Sequence, residues 1–269
     1  MKFLLSLLFC CNLIFALSIG NGEIKIIEIK EEFAAKLTIN SVRTAWIKHP
    51  AKNGYKIAFI VAGYHQNKNF LVRNGDDVEF SELVFKLEKI DYKKEFLSVA
   101  PEKINPPYKE QIRIKKERDE ANQIYRTFTD GLLFDSKFEL PIDTQITSYY
   151  GTARMFNNSL KSYHSGTDFR AAVGKEIKAA NSGIVRIAKN RYYAGNSVVI
   201  DHGSGIYTQY YHLSKINVKV GQKVQKGDII GLSGSSGRVT GPHLHFGVMV
   251  NKIQVNPLDF IEKTNQLFN

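Results

Sequence analysis

The stretch "GPHLHFGV", residues 241 to 248, sets His243 and His245 one residue apart in an otherwise apolar run. Side chains on a strand alternate between faces, so Leu244, Phe246, Val248 and Val250 would share one side and His243, His245 and Gly247 the other. Two imidazoles on one face, about 6.5–7 Å apart at the backbone, can converge on a single point. Three more histidines lie in the same last segment: His164, with Asp168, in "HSGTDF", His202 in "DHGSG" and His212 in "YYHLS". His202 sits at an apparent hairpin turn and is expected to be structural. His49 and His65 are isolated and read as surface or packing residues.

His164 and Asp168 are four residues apart. A regular strand would hold them about 13 Å from each other, too far to share an ion. Gly166 and Thr167 argue against a helix. A bend at Gly166 remains, for which glycine's tolerance of positive φ is suited. Two imidazoles and one carboxylate make a three-ligand site with a fourth position open to water, the arrangement of catalytic rather than structural zinc. The N,O ligand set fits zinc best, although other divalent ions could occupy it. No HExxH motif supplies a glutamate base, so histidine is the available group for proton transfer.

The elements that must position these residues differ along the chain. Residues 19–106 read as short strands ("GEIKIIEI", "AAKLTINS", "YKIAFIVAG", "DDVEFSELVFKLEKI") of a small β-rich or mixed N-terminal domain. Residues 107–133, which begin at the second proline of Pro106-Pro107, carry Ile114, Ala121, Ile124, Tyr125 and Phe128 at helical spacing, a largely solvated connecting helix. From 134 to 262, short β-runs punctuated by glycine imply a mainly β, compact antiparallel sheet or barrel-like domain, ending in "PLDFIEK" as a short helix or turn. Residues 263–269 form a tail.

Composition bounds the setting. Residues 1–18 carry Lys2 followed by an apolar stretch too short for a comfortable membrane span, the pattern of a secretory leader. Both cysteines, Cys10 and Cys11, lie inside it, so an exported mature chain would have no disulfide and any metal site must use His, Asp or Glu. Lys and Arg number 37 against 26 Asp and Glu. That cationic balance suits an anionic polymer such as cell-wall material or a membrane surface. The lysines are dispersed and no nucleic-acid-binding motif is present.

Three stretches together resemble the lysostaphin/LytM-type zinc metallopeptidases, which cut peptide bonds of bacterial peptidoglycan: "HSGTDFRAAVGKEIKAANSGIV", "GNSVVIDHGSGIYTQYYHLS" and "VKVGQKVQKGDIIGLSGSSGRVTGPHLHFGV". The resemblance runs from about Ile146 to Pro257. It implies one zinc per chain held by His164, Asp168 and His245. His212 and His243 would be the unliganded catalytic histidines, with His243 as the base toward water and His212 orienting it or stabilising the oxyanion. One departure is visible, since many members carry an acidic residue after HLHF where this chain has Gly247. The resemblance also implies an exported, periplasmic or cell-wall-associated endopeptidase acting on crosslinked stem peptides.

Which bond is cut stays open at this stage. The leader and the extra N-terminal domain favour a DD-endopeptidase on D-Ala–diaminopimelate crosslinks, with DD-carboxypeptidase activity accompanying it, over a glycyl-glycine endopeptidase. A non-catalytic activator of other wall hydrolases is the alternative of another class. "VKVGQKVQKGDIIG" also looks like half of a biotinyl or lipoyl carrier hairpin, but the exposed lysine at a tight turn is missing. The "NRYYAGN" loop (Tyr192, Tyr193) and Tyr210 are candidates to line the groove, and the N-terminal domain is a candidate to contact the active site.

Overall fold

The computed structural model describes residues 16–75, 81–97, 106–156 and 160–269. Most of the expected leader lies outside these residues. Its boundary at Ser18 falls within a strand, Ala16–Gly20, that runs parallel to Ser81–Glu88.

Two N-terminal sheets are present. The larger runs in the order 16–20, 81–88, 70–74, 37–39, 42–44, and the smaller sets Ile24–Lys30 and Ile47–Lys48 on either side of Tyr55–Val61. The Tyr55–Val61 strand is buried on both faces, which explains its almost unbroken apolar sequence. Ala58 and Ile60 pack with Ile19, Leu37, Phe70, Val72 and Phe85. Ile57, Phe59 and Val61 face the other way, into the core shared with Phe138, Phe169, Phe246 and Phe260. The N-terminal strands are therefore joined to the rest by continuous apolar packing. Ile24 N–H also donates to Asp259 Oδ2 at 2.8 Å, in the first turn of the terminal helix Pro257–Asn265.

The main sheet has eight strands, ordered 146–148, 167–170, 243–250, 206–213, 195–201, 183–191, 223–224, with 253–255 paired to the edge-ward end of 243–250. Its pairs are antiparallel, as expected of the β-rich C-terminal segment. One face, carrying Val198, Ile200, Tyr210, Leu244, Phe246 and Val248, closes the main core. The opposite face carries Ile187, Val199, Tyr207 and Met249, and there the helix Tyr108–Arg126 docks through Ala121 and Tyr125. The helix is thus packed onto the sheet rather than spanning solvent between two bodies. Among the described residues, no helix is long and apolar enough to cross a membrane.

A separate three-stranded sheet sets Lys94–Leu97 parallel to Ala153–Phe156, which pairs in turn with Leu160–Tyr163. Chain from the N-terminal third is thereby hydrogen-bonded to the strand that leads into His164.

Candidate metal centre

Register brings the first two candidate ligands together. Asp168 lies directly opposite His245 across the antiparallel pair, and Arg170 opposite His243. Cross-strand partners share a face, so Asp168, His243 and His245 all project from the side on which the helix docks. His164 arrives from the end of Leu160–Tyr163 through a bend at Gly166. The expected reason for that glycine needs correction: Gly166 is not in the left-handed region. A Cβ there would stand 2.5 Å from Phe246 O and 2.6 Å from His245 Nε2, so close approach of backbone and ligand is what requires glycine.

Three ligand atoms converge. His164 Nε2 is 2.9 Å from Asp168 Oδ1 and 3.0 Å from His245 Nδ1, and His245 Nδ1 is 2.9 Å from Asp168 Oδ1. A tetrahedral ion with bonds of about 2.0–2.1 Å has ligand–ligand edges of about 3.3 Å. The triangle is near that size, and all three residues are buried.

Proton counting supports a cation there. His164 Nδ1 is 3.0 Å from Tyr149 O, a carbonyl that can only accept, so the Nδ1 proton is committed and a neutral ring presents a bare lone pair at Nε2. Even if His245 Nδ1 donates to Asp168, the His164 lone pair still faces a carboxylate oxygen at 2.9 Å. A divalent ion relieves that repulsion. Burial lowers His245, and Asp168 only partly offsets this.

His212 and His243 are brought to the same place. His243 Nε2 is 3.8 Å from Asp168 Oδ1, and its Nδ1–H donates to Gly241 O at 2.9 Å. His212 Nδ1–H donates to Ser236 O at 2.9 Å, and its ring centroid is 4.9 Å from that of His243. Both rings are locked with Nδ1 protonated and Nε2 available. Burial first, then the neighbouring His245, pulls His212 down to about 3, so it is neutral near pH 7.

His212 needs an irregular backbone. Tyr211 pairs with His245 and therefore already occupies the site face, which strand alternation would deny to His212. His212 instead adopts φ 65°, left-handed and uncommon for a residue other than glycine, and the break in alternation turns both rings inward. Tyr211 stacks on His245 with centroids 5.3 Å apart and planes 8° apart.

Tyr210, expected at the groove, is instead fully buried in the core, where its hydroxyl accepts from Ala180 N–H at 2.8 Å. Tyr193 lines the cavity over the site, while Tyr192 packs beside it. Sequence reasoning missed Tyr211, although counting by twos from His245 across the sheet points to it. It also missed Ser148 and Tyr149, whose oxygens meet His164 Nδ1.

His202 is away from the centre. It is buried, with Nδ1 2.7 Å from Ser182 O and Nε2 2.7 Å from Thr208 Oγ1. The His49 side chain is buried against Glu28 at 3.3 Å, and His65 lies edge-on to Tyr163. Gly247 has a visible use: a Cβ would stand 2.5 Å from Gln209 Oε1, and Gln209 Nε2 donates to Tyr125 OH of the docked helix at 2.8 Å.

The triad and both free histidines line a cavity of about 900 Å³. Its walls include Ile114, Glu117 and Arg118 of the helix and Glu95 of the N-terminal third. Glu95 lies 3.6 Å from Arg154 Nε, and Arg154 Nη2 lies 3.7 Å from Asp168 Oδ2.

Comparison with known proteins agrees with this geometry. Residues 162–257 match the model of Peptidase family M23. Over 95 residues, 35% of this chain and 22% of the relative, the sequence is 52% identical to the peptidoglycan DD-endopeptidase ShyA of Vibrio cholerae. Over 105 residues, 37% of this chain and 21% of the relative, it is 44% identical to lysostaphin of Staphylococcus simulans. The chain thus aligns with only about a fifth of either protein. A Pseudomonas aeruginosa crystal structure assigned to peptidase M23 is similar over 91% of this chain and 95% of its own, with a TM-score of 0.68 and 26% identity. From the order of its motifs, its fold and the convergence of its ligand atoms, the segment 162–257 is a Peptidase family M23 domain.

Proposed function

We propose that this chain is a zinc-dependent peptidoglycan hydrolase. In this reading it is exported to the periplasm or cell wall and opens D-Ala–diaminopimelate crosslinks as a DD-endopeptidase, with DD-carboxypeptidase activity on the same type of bond. The similarity to a DD-endopeptidase over the metal-centre segment supports the substrate class. One observation carries the reaction type: His164, Asp168 and His245 converge within a ligand-sized triangle, and beside it stand two further imidazoles whose Nδ1 atoms are each held by a backbone carbonyl.

His164, Asp168 and His245 would hold the zinc. When bound, the ion supplies Lewis acidity that polarises water and the substrate carbonyl. His243 takes the proton from the attacking water at Nε2, since its Nδ1 proton is held by Gly241 O. His212, fixed by Ser236 O, lies across from it to orient water or stabilise the carbonyl oxygen as charge develops. The water oxygen bonds to the carbonyl carbon, the carbon–nitrogen bond breaks, and the proton held by histidine passes to the leaving amine. Tyr211 braces the His245 ring by stacking.

The test is mass analysis of crosslinked muropeptide dimers incubated with the purified chain, with and without a chelator. Conversion to monomers, lost with chelator and in His245→Ala, is expected. Intact dimers alongside stoichiometric zinc would overturn hydrolysis in favour of a non-catalytic regulator. Cleavage confined to glycine bridges would overturn the assigned bond.

A further inference from the structure

We propose that Arg154 is a positioning residue that holds the outer carboxylate oxygen of Asp168, so that this ligand meets the metal through one oxygen and leaves the fourth position open. This inference rests on the zinc-hydrolase reading above and deepens it.

The two oxygens of Asp168 have different surroundings. Oδ1 is the atom in the ligand triangle, 2.9 Å from both His164 Nε2 and His245 Nδ1. Oδ2 takes no part in that triangle and has Arg154 Nη2 3.7 Å away, an ion-pair distance. A carboxylate can grip a metal with one oxygen or with both. Binding through both would fill the place that a catalytic site keeps for water and substrate. A cation beside Oδ2 opposes that binding mode by giving this oxygen a competing partner. The Asp168 backbone is already fixed, paired opposite His245 and with its carbonyl accepting from Thr147 Oγ1 at 3.2 Å. The freedom left to the ligand is rotation of its carboxylate, which is the motion Arg154 restrains.

Five arginines line the cavity, Arg118, Arg154, Arg170, Arg191 and Arg238. Arg154 is set apart by what its guanidinium reaches. The same Nη2 donates to Ser148 Oγ at 3.3 Å, and that oxygen lies 3.2 Å from His164 Nδ1. One nitrogen therefore stands between the outer oxygen of one ligand and the serine behind another. Removing it frees Asp168 directly, whereas His164 keeps Tyr149 O at 3.0 Å.

The fold determines where Arg154 stands. It occupies the middle strand of the small three-stranded sheet, opposite Glu95 on one side and Ser162 on the other. Its Nε is buried without a hydrogen-bond partner, and Glu95 Oε2 is 3.6 Å from it, beyond hydrogen-bonding distance. A buried donor left unpaired calls for an explanation. Here Nε goes unbonded while Nη2 reaches Ser148 and the Asp168 oxygen, so the contacts to the ligands are kept at the expense of the arginine's own hydrogen bonding.

Coordination is read in cobalt-substituted protein and turnover in zinc-loaded protein on crosslinked muropeptide dimers. The unaltered chain is expected to give the intense visible bands of four-coordinate cobalt. Arg154→Met should give the weaker bands of a five-coordinate ion, with metal affinity in chelator competition equal to the unaltered chain or tighter. Its kcat should fall about 10–100-fold while KM changes little. Arg154→Lys, which keeps a cation near Oδ2, should restore part of both. An unaltered spectrum or kcat in Arg154→Met would overturn the role, and so would weaker metal binding with four-coordinate bands retained. A crystal structure of the zinc-loaded chain needs no variant: Oδ1 alone on the ion with Oδ2 hydrogen-bonded to Arg154 is expected, and both oxygens on the ion would overturn the proposal. An Arg154-dependent spectrum without dimer turnover would leave the positioning role standing and remove the hydrolase. Dimer turnover with a spectrum indifferent to Arg154 would do the reverse.

Discussion

Replacing Gly166 by alanine tests how the metal centre is assembled. The added Cβ would meet Phe246 O at 2.5 Å, His245 Nε2 at 2.6 Å and His245 Cε1 at 2.7 Å. Ordinary contact begins near 3.4 Å, so each overlap is about 0.7–0.9 Å. Phe246 is paired on both sides, to Thr167 and to Tyr210, and cannot yield without breaking ladder bonds. The His245 ring is stacked on Tyr211 and cannot swing freely either. Overpacking of this kind costs about 1–3 kcal/mol. A ligand displaced by most of an ångström should lose about 100-fold or more in metal-supported activity. Gly174→Ala is the control: its φ of 91° imposes backbone strain, yet nothing lies within 4 Å of the new methyl. Metal affinity from competition with a chromophoric chelator, together with thermal melting with and without metal, distinguishes the two. Gly166→Ala should lose both stability and affinity, and Gly174→Ala stability alone. Wild-type metal affinity in Gly166→Ala would refute the close-approach argument.

Zinc bound to the folded triad at a thousandfold excess over its dissociation constant should raise stability by about 4 kcal/mol, read as a melting shift abolished in His245→Ala. Burial pulls His202 down to about 4 in the folded chain, so the unfolded chain binds more protons between pH 6.5 and 4. Stability contributed there is present above pH 6.5 and falls by about 3 kcal/mol as pH drops to 4. Urea titrations across that range should show a shallower acid limb in His202→Gln. Tyr125→Ala, which removes a buried ring and the partner of Gln209, should cost about 3–5 kcal/mol and open the chain near 127–131 to limited proteolysis. Gly247→Ala should cost less, about 1 kcal/mol in denaturant titration, because its clash is with the movable end of Gln209.

The sheet-rich fold, the connecting helix and the shared face of His243 and His245 were legible because alternation and helical spacing are local signals. The ligand set was not legible from spacing. It depends on the register that puts Asp168 opposite His245, a pairing between residues 77 apart in sequence. Gly166 illustrates the limit: sequence alone suggests a special dihedral, whereas the constraint is a ligand ring arriving from another strand. Tyr210 and Tyr211 make the same point. Adjacent tyrosines look equivalent in "YTQYYHL", and only the neighbouring strand determines which one is core and which braces a ligand. The arginines of the cavity were invisible for a plainer reason, since residues 118, 154, 170, 191 and 238 come from five separate elements or loops.

The positions outside the family-matched segment do more than precede it. His164 enters from a strand whose partner, Ala153–Phe156, is itself paired to Lys94–Leu97. The stacked rings of Tyr64 and Tyr163, 4.0 Å apart, fix the residue just before His164 against the N-terminal third. Arg154 then links Glu95 to Asp168 through two charge contacts. On the opposite wall, Glu117 of the helix holds Tyr192 N, and neighbouring Tyr193 carries Arg238. The triad has two members, Asp168 and His245, on the main sheet and the third, His164, just beyond a strand outside it. Two of its approaches, however, are set by chain that belongs to neither the sheet nor the family segment, so the depth and charge of the cavity are properties of the whole chain. Loosening Glu95 or Glu117 should therefore alter which peptides are accepted before it alters how tightly metal is held.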